Sequence, residues 1–297
     1  VRISIITIGK IIKCMADDGN VSAWNVLNNV KILNLIFINM KFRTILNKFT
    51  CLITSKSKNS NLKTNHLSKE IIYKFLKKNK PNVVINCVAG MDVDLCNKDF
   101  IYAYNSNVLT VKNIASSLNE LKIKCLFVHI STDQVYDSKK ASSEKNTNPS
   151  NNYGHTKFLS ENEAIKFKKT LILRTNFYGK SRSINRKSFS DYIIHNLKKN
   201  KKIKLPMNIF FNPVHLSFLN TTILKLIKKK ATGVFNIGSK DCISKFNFGV
   251  EVANKFNLNK KNIIKYKSQF KKNNRPLNTF MHTNKLKKII KIKIPSI

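Results

Sequence analysis

The chain is 297 residues long, which suits two domains or one large α/β unit, and 42% of its residues are hydrophobic. No stretch offers the roughly 20 consecutive apolar residues of a transmembrane helix, so the sequence excludes such a helix, and the hydrophobic and aromatic content excludes a wholly disordered chain. Basic residues outnumber acidic ones by 55 to 15, and this net charge of +40 raises the question of a polyanionic partner.

The positive charge consists almost entirely of Lys, with 49 Lys and only 6 Arg. Recognition of bases and phosphates normally uses Arg forks as well as Lys, and here the Lys excess is spread over every segment. We therefore interpret the charge as compositional drift on a solvated surface. The sequence predicts no specific nucleic-acid partner and no membrane partner.

The N-terminal apolar stretch, residues 3–12, is interrupted by Lys10 and is not followed by a small-residue cleavage site. A secretory signal is therefore not expected, and the default compartment is the reducing cytoplasm. The six Cys are scattered without a Cys-x-x-Cys pair, and the six His are far apart. This distribution predicts neither a disulfide framework nor a metal site.

Three short β-branched or apolar runs predict buried strands, and helical patterns lie before and between them. The strands are expected at Val83–Asn86, Leu126–Ile130 and 171–173, and the helices at about 67–79, 100–120 and 153–168. Such alternation is typical of βαβ units with a parallel sheet covered by helices on both faces. We predict a Rossmann-like, doubly wound α/β fold, with ligands at the carboxyl ends of the strands.

The regular alternation ends near residue 176. Beyond it come Pro206, Pro213, a strand-like run at 234–237, a basic helical stretch at about 246–257 and a Lys-rich tail. We predict that residues 1–176 form the sheet domain and residues 177–297 a smaller substrate-binding region. The strand near 234–238 is allowed to return to the main sheet.

A Tyr and a Lys lie four residues apart in the segment Tyr-Gly-His-Thr-Lys at 153–157. At the start of a helix this spacing puts Tyr153 and Lys157 on one face, one turn apart. A Lys ammonium at that distance lowers the pKa of the phenol, which makes Tyr153 a proton donor or acceptor near neutral pH. Chance alone supplies about one such pair in this Lys-rich chain.

Two other pairs, Tyr73/Lys77 and Tyr136/Lys140, show the same spacing, and context separates them from Tyr153. Only Tyr153 lies 21 residues after a Ser-Thr-Asp segment that directly follows a predicted strand, where the Thr132 hydroxyl could bond the same carbonyl oxygen. For Tyr73 and Tyr136 we favour a packing or loop tyrosine beside a solvated Lys.

Several segments occur together in one order. They are Val-Val-Ile-Asn-Cys-Val-Ala at 83–89, Val-His-Ile-Ser-Thr-Asp-Gln-Val-Tyr at 128–136, Asn-Pro at 148–149, the Tyr153 segment, Leu-Arg-Thr at 173–175, Asn-Pro-Val at 212–214, Gly-Val-Phe-Asn-Ile-Gly at 233–238 and Arg-Pro-Leu-Asn at 275–278. Over residues 67–295 this ordered set resembles the extended short-chain dehydrogenase/reductases, and most closely the dTDP-4-dehydrorhamnose reductase family.

The resemblance implies a dinucleotide-binding domain over residues 1–176 and hydride transfer from NADPH or NADH to the 4-keto carbon of a nucleotide-linked deoxysugar, in polysaccharide precursor synthesis. It implies catalytic roles for three residues: Tyr153 donates the proton, Lys157 adjusts the pKa of Tyr153 and holds the nicotinamide ribose, and Thr132 polarises the substrate carbonyl. The cofactor would contact Gly9, Cys87, Val88, Ala89, Asn107, Tyr153 and Lys157, with Asn107 at a helix position that supports the site, and the substrate would contact Thr132, Asp133, Arg174 and Arg275. A structural ion pair is an equal alternative for Arg174. The resemblance also allows a homodimer.

The chain departs from this family at its start, where a strand should lead into Gly-x-x-Gly-x-x-Gly. Gly9 is followed by no glycine before Gly19, and Ile12 carries a Cβ where the backbone should approach the pyrophosphate. The missing glycines leave open a non-catalytic relative that binds a nucleotide, a sugar nucleotide or a protein. A sugar-nucleotide epimerase or dehydratase also stays open, because families that resemble this one share the Tyr and the Lys.

Overall fold

The computed structural model describes residues 2–6, 50–55 and 62–63 as strand backbone, and residues 68–181, 188–269 and 275–297 with their side chains. Within these ranges seven strands form one parallel sheet. They are β1 (Arg2–Ile6), β2 (Thr50–Ser55), β3 (Leu62–Lys63), β4 (Val83–Asn86), β5 (Leu126–Ile130), β6 (Thr170–Thr175) and β11 (Gly233–Ile237). Their spatial order is β11-β6-β5-β4-β1-β2-β3. The chain adds β1 to β3 in one direction and β4 to β11 in the other, and this change of direction is typical of a doubly wound sheet.

Helices connect or flank these strands. They are α1 (Lys69–Asn79), α2 (Val93–Lys98), α3 (Phe100–Tyr104), α4 (Thr110–Glu120), α5 (Asn152–Ala164), α6 (Phe189–Lys198), α7 (Leu216–Lys228), α8 (Lys245–Lys255) and α9 (Asn284–Ile290). A π-helical turn, Asn105–Leu109, joins α3 to α4 without a break. Side-chain caps begin most of the longer helices, as where Asn151 Oδ1 accepts the Gly154 amide at 2.7 Å before α5.

The central strands bury both of their faces, which is why their sequences read as continuous apolar runs. Successive side chains point to opposite faces, so Leu126 and Val128 pack with α7 and α9, whereas Phe127 packs with α1 and α4. The two hydrophobic cores lie on either side of the sheet. The predicted Rossmann-like, doubly wound α/β fold is confirmed.

The residues after 176 form part of the main sheet and its core, and they also form a separate hydrophobic core. β11 pairs in parallel with β6, and α7 packs on the same core as the main strands. A third core, formed by α6, α8, β8 (Ile203–Pro206) and β13 (Ile263–Tyr266), lies apart from the sheet. The remaining strands are short: β7 (Phe177–Tyr178), β9 (Phe210–Phe211), β10 (Val214–His215) and β12 (Ile243–Ser244). Among the described residues no helix is long and apolar enough to cross a membrane.

Candidate active site

A cavity of about 280 Å³ opens at the carboxyl ends of β4, β5 and β6. This is the edge at which open parallel sheets bind ligands. Residues from both sides of position 176 line it: Cys87, Ala89, Met91, Ile130, Ser131, Thr132, Asp133, Gln134, Tyr153, Lys157, Thr175, Asn176, Phe177 and Leu219. The structure thus brings Thr132, Tyr153 and Lys157 to one cavity, while their chemical roles stay predictions.

Lys157 lies one turn after Tyr153 on α5 and is only 1% exposed. Its Nζ donates to the carbonyl of Ile130, the last residue of β5, at 2.9 Å. Burial lowers the pKa of Lys157 to about 8, against the opposing effect of the nearby Glu161 carboxylate. A buried ammonium and the Tyr153 phenol therefore line the same cavity, one helical turn apart.

Thr132 and Asp133 follow β5 and form the floor of the cavity. Thr132 Oγ1 accepts the Gln134 amide and contacts Asp133 Oδ1, both at 3.2 Å. Asp133 Oδ2 accepts from Thr279 Oγ1 at 2.7 Å and from Asn176 Nδ2 at 2.8 Å. Burial raises the pKa of Asp133, and these hydrogen bonds offset part of that rise.

Arg174 does not line the cavity, and its described contacts form the structural ion pair that was its alternative role. A contact between Arg174 and the substrate stays an untested prediction. The side chain is 3% exposed, and its Nη2 lies 2.6 Å from Glu161 Oε2. Its Nη1 donates to the Tyr136 hydroxyl at 2.6 Å and to the Glu144 carbonyl at 2.9 Å. These bonds occupy the guanidinium inside the protein.

Of the two roles that we favoured for Tyr136 from the sequence, packing and loop, the structure shows packing. Tyr136 is fully buried, and its hydroxyl donates to Asn236 Oδ1 at 2.8 Å on β11 while accepting from Arg174. Burial raises the pKa of Tyr136, so it remains a neutral phenol. Tyr136 therefore connects the segment after β5 to β11, the strand at one edge of the sheet.

The segment after β4 forms the cavity wall only in part. Cys87 and Ala89 line the cavity, but Val88 is 1% exposed and packs in the opposite core, because successive side chains of an extended segment alternate. Burial raises the pKa of Cys87 to about 12, so its thiol stays protonated.

Asn107, also predicted to contact the cofactor, is completely buried and does not line the cavity. Its Oδ1 accepts the Gly90 amide at 2.8 Å, and its Nδ2 donates to Thr156 Oγ1 at 2.9 Å. These two hydrogen bonds hold the cavity wall against α5, which agrees with a supporting position, and direct contact between Asn107 and a cofactor stays a prediction. Gly9, with the rest of the glycine-poor segment, lies outside the described residues.

Arg275 lies near the cavity but does not line it; its Nη2 is 2.8 Å from Asp94 Oδ1. A second cation near it, Lys245, was missed by the sequence analysis because it is one of 49 Lys. Burial and the charge of Arg275 lower the pKa of Lys245, and the Asp133 carboxylate raises it. Two cations therefore lie within electrostatic range of each other on the Asp133 side of the cavity.

His129 and Ser160, also missed, form a buried connection between β5 and α5. His129 is fully buried and hydrogen-bonds both Asn86 and Ser160. A single His inside an apolar strand carries no spacing signal, so the sequence could not reveal these contacts. In the segments described with side chains, no group of three or more potential ligands could hold a metal ion.

Gly154 allows the close approach that puts Tyr153 at the cavity. A Cβ on Gly154 would collide with the Gln134 carbonyl oxygen, a backbone atom. We expect Gly154→Ala to lower the free energy of unfolding by about 1–3 kcal/mol in urea denaturation. Gly249→Ala in α8 is the matched control, because its Cβ would meet only the movable end of Leu205. Equal losses in the two variants would contradict this account.

Comparisons with known proteins show the family to which the chain belongs. A family model described as the RmlD substrate binding domain matches residues 43–297. The dTDP-4-dehydrorhamnose reductase of Aggregatibacter actinomycetemcomitans is 23% identical over 199 residues, which cover 62% of this chain and 65% of that protein. Agl14 of Haloferax volcanii, a probable low-salt glycan biosynthesis reductase, is 25% identical over 190 residues, which cover 62% of this chain and 63% of that protein. The chain thus spans less than two thirds of either relative.

Solved structures share the fold over a larger part of the chain. The crystal structure of dTDP-4-dehydrorhamnose reductase from Bacillus anthracis in complex with NADP has a TM-score of 0.79 at 20% identity, covering 99% of this chain and 95% of that chain. A hypothetical dTDP-4-dehydrorhamnose reductase from Sulfolobus tokodaii has a TM-score of 0.73 at 25% identity, covering 87% of this chain and 93% of that one.

Proposed function

We propose that this chain, which belongs to the RmlD substrate binding domain family, is an NAD(P)H-dependent oxidoreductase that reduces the 4-keto group of a nucleotide-linked deoxysugar. One observation carries the proposal: Thr132, Tyr153 and Lys157 line the same cavity at the carboxyl edge of the sheet. The product would enter polysaccharide precursor synthesis, as the name of Agl14, a probable glycan biosynthesis reductase, suggests.

Tyr153 is the proton donor in this proposal. Its phenol lines the cavity one helical turn from the buried Lys157, and the positive charge of Lys157 favours the phenolate that forms when the proton leaves. The proton goes to the oxygen of the substrate carbonyl, which becomes a hydroxyl group. Lys157 must be protonated to act in this way, so its lowered pKa limits the reaction on the alkaline side.

Thr132 polarises the same carbonyl. Because its Oγ1 already accepts the Gln134 amide, the orientation of the hydroxyl group is restricted. Its proton is directed either to Asp133 Oδ1 or to an oxygen in the cavity. Two donors, Thr132 and Tyr153, thus converge on one substrate oxygen, where negative charge develops during reduction.

The described residues fit the nicotinamide half of a dinucleotide. When bound, NADPH or NADH supplies the hydride for the carbonyl carbon and is left as NADP⁺ or NAD⁺. The Lys157 ammonium has three N–H donors, and within the described residues one of them is used, by Ile130. The other donors can bind ribose hydroxyls. Cys87 and Ala89 provide a wall of small side chains.

The substrate fits the other side of the cavity. Lys245 and Arg275 bring positive charge to the Asp133 side, which suits the phosphates of a sugar nucleotide. Asp133 and Asn176 present polar groups to the sugar. We extend the proposal to the division of the chain, with residues 1–176 holding the dinucleotide and residues 177–297 supplying most of the substrate contacts.

The experiment that tests the function is an absorbance assay. Purified protein is mixed with NADPH or NADH and a dTDP-linked 4-keto-6-deoxysugar, and consumption of the reduced cofactor is followed. The proposal expects consumption that depends on the sugar nucleotide and a product reduced at C4. Conversion of the sugar without net cofactor consumption would instead identify an epimerase or a dehydratase.

Weak cofactor affinity is a separate prediction. In the sequence, residues such as Ile12 replace the glycines with which the family approaches the pyrophosphate, so we expect a dissociation constant of about 100 μM or weaker for NADH and NADPH. Calorimetry measures it directly. Submicromolar binding would contradict the prediction, and no detectable binding to folded protein at millimolar cofactor would favour the non-catalytic relative.

A further inference from the structure

One buried imidazole connects the two walls of the cavity. His129 is 0% exposed in the middle of the sheet, with Nδ1 3.1 Å from Asn86 Nδ2 and Nε2 2.9 Å from Ser160 Oγ. Asn86 ends β4, directly before the cavity wall at Cys87. Ser160 lies on α5, three residues after Lys157. The chain of contacts therefore runs from the wall to the helix that carries Tyr153 and Lys157.

Backbone groups at both ends of this chain determine where each proton lies. Ser160 Oγ donates its single proton to the Lys157 carbonyl at 2.6 Å, so it can only accept from His129. At the other end, Asn86 Oδ1 accepts the Val88 amide at 3.0 Å, so Asn86 presents its NH₂ group to His129. Both ends require the same state of His129, the neutral imidazole with its proton on Nε2.

From this arrangement we infer that His129 is a positioning residue for Lys157: its neutral imidazole holds one turn of α5 at a set distance from the cavity wall. The inference rests on the proposed function, because it assigns His129 to the proton-donating pair. Ser160 Oγ donates a hydrogen bond to the Lys157 carbonyl, and Lys157 Nζ donates one to the Ile130 carbonyl. Hydrogen bonds therefore hold both the backbone and the side chain of Lys157. Displacements of about 1 Å in such groups cost about 100-fold in rate.

The surroundings keep His129 neutral. Burial first, and then the charge of Lys157, lower its pKa well below 6.5. A second proton would put an N–H on Nδ1 against the NH₂ group of Asn86, and turning Asn86 would sacrifice the Val88 amide. The other titratable groups acting on Lys157 are Glu161 and Cys87, and the Cys87 thiol stays protonated.

A purely structural role for His129 predicts a different outcome from a positioning role. If the imidazole only fills space, replacing it lowers stability without changing Lys157. If it positions Lys157, loosening that turn of α5 admits water to the ammonium and raises the pKa of Lys157 from about 8 towards its ordinary 10.5. The Lys157 titration therefore separates the two roles, and it needs neither cofactor nor turnover.

The experiment uses the full chain as wild type, His129→Leu, Ser160→Ala and the double variant. Ser117→Ala is the control, because Ser117 is as buried in neighbouring α4 and its hydroxyl has no partner among the described residues. NMR gives the imidazole tautomer in the wild type and the Lys157 pKa, from the signal that Lys157→Met removes. Turnover of the sugar nucleotide is measured on the same proteins.

We expect the Nε2–H tautomer, and a rise of about one unit or more in the Lys157 pKa in Ser160→Ala and His129→Leu. Turnover should fall about 10- to 100-fold in each, with no further fall in the double variant, because both act through one connection. Ser117→Ala should change neither quantity. If His129→Leu does not fold, Ser160→Ala alone decides.

An Nδ1–H tautomer, or an unchanged Lys157 pKa in folded Ser160→Ala, would overturn the inference. Independent, multiplying losses of turnover in the double variant would also overturn it. Failure of the proposed function is a distinct result, in which the wild type itself shows no turnover. In that case the tautomer and the Lys157 titration still decide the role of His129.

Discussion

Tyr153→Phe is expected to lower turnover of the sugar nucleotide by about 10²- to 10⁴-fold while leaving its affinity nearly unchanged. The ring remains to fill the cavity wall, and only the proton that the carbonyl oxygen must receive is lost. Steady-state kinetics should therefore show the loss in kcat, with unfolding in urea close to that of the wild type. Activity within a few-fold of the wild type would reject Tyr153 as the acid.

The control for this variant is Tyr73→Phe. Tyr73 has the same spacing to a Lys as Tyr153 but lies on α1, and it is expected to cost little. Tyr136 also has a Lys four residues later, but it is not a suitable control, because its hydroxyl forms buried hydrogen bonds with Arg174 and Asn236. Tyr136→Phe would remove one partner from a buried guanidinium and lower stability for reasons unrelated to the chemistry.

Arg174→Met is expected to lower the free energy of unfolding by about 3–5 kcal/mol, the largest stability effect that we predict. It leaves the Glu161 carboxylate, 3% exposed, without the cation that its ion pair requires. Ser131 Oγ, which donates to Glu161 at 2.5 Å, would be the carboxylate's remaining described hydrogen-bond donor. Urea denaturation near neutral pH measures the loss.

The matched control for Arg174 is Lys74→Met, which breaks the exposed ion pair with Glu70 and should change stability little. The double variant Arg174→Met/Glu161→Met removes both charges and should recover part of the loss. Equal, small effects of Arg174→Met and Lys74→Met would contradict a buried ion pair of this importance.

Much of the fold could be predicted because its strands are short and buried on both faces. The runs at Val83–Asn86 and Leu126–Ile130 match β4 and β5, and the expected helix at 153–168 begins at Asn152 and ends at Ala164. The family resemblance, which the ordered motifs carried, is confirmed by the family model over residues 43–297. Strand β2, at Thr50–Ser55, was not predicted, because the segment around it offers no recognisable motif.

The candidate site shows what local patterns can and cannot supply. Tyr153 and Lys157 are one helical turn apart, so local geometry was enough to place these two side chains together. Thr132 lies 21 residues before Tyr153, and it was placed with the pair from its position after a strand and from the family resemblance. Val88 and Asn107 were expected at the cofactor from the family resemblance. Neither lines the cavity, because the Val88 side chain alternates into the opposite core and the Asn107 amide is buried against Gly90 and Thr156.

The sequence by itself determined the central strands of the sheet, the order of the motifs and the Tyr153–Lys157 pair, because the spacing of residues along a strand or helix decides which of them share a face. Only the tertiary structure decided that Arg174 forms an ion pair with Glu161, that the Tyr136 hydroxyl bonds Asn236 on β11, and that His129 connects the cavity wall to the helix of Lys157. These partners are 13, 100 and 31 residues apart. Contacts over such distances depend on how the helices and strands pack, which no local pattern specifies.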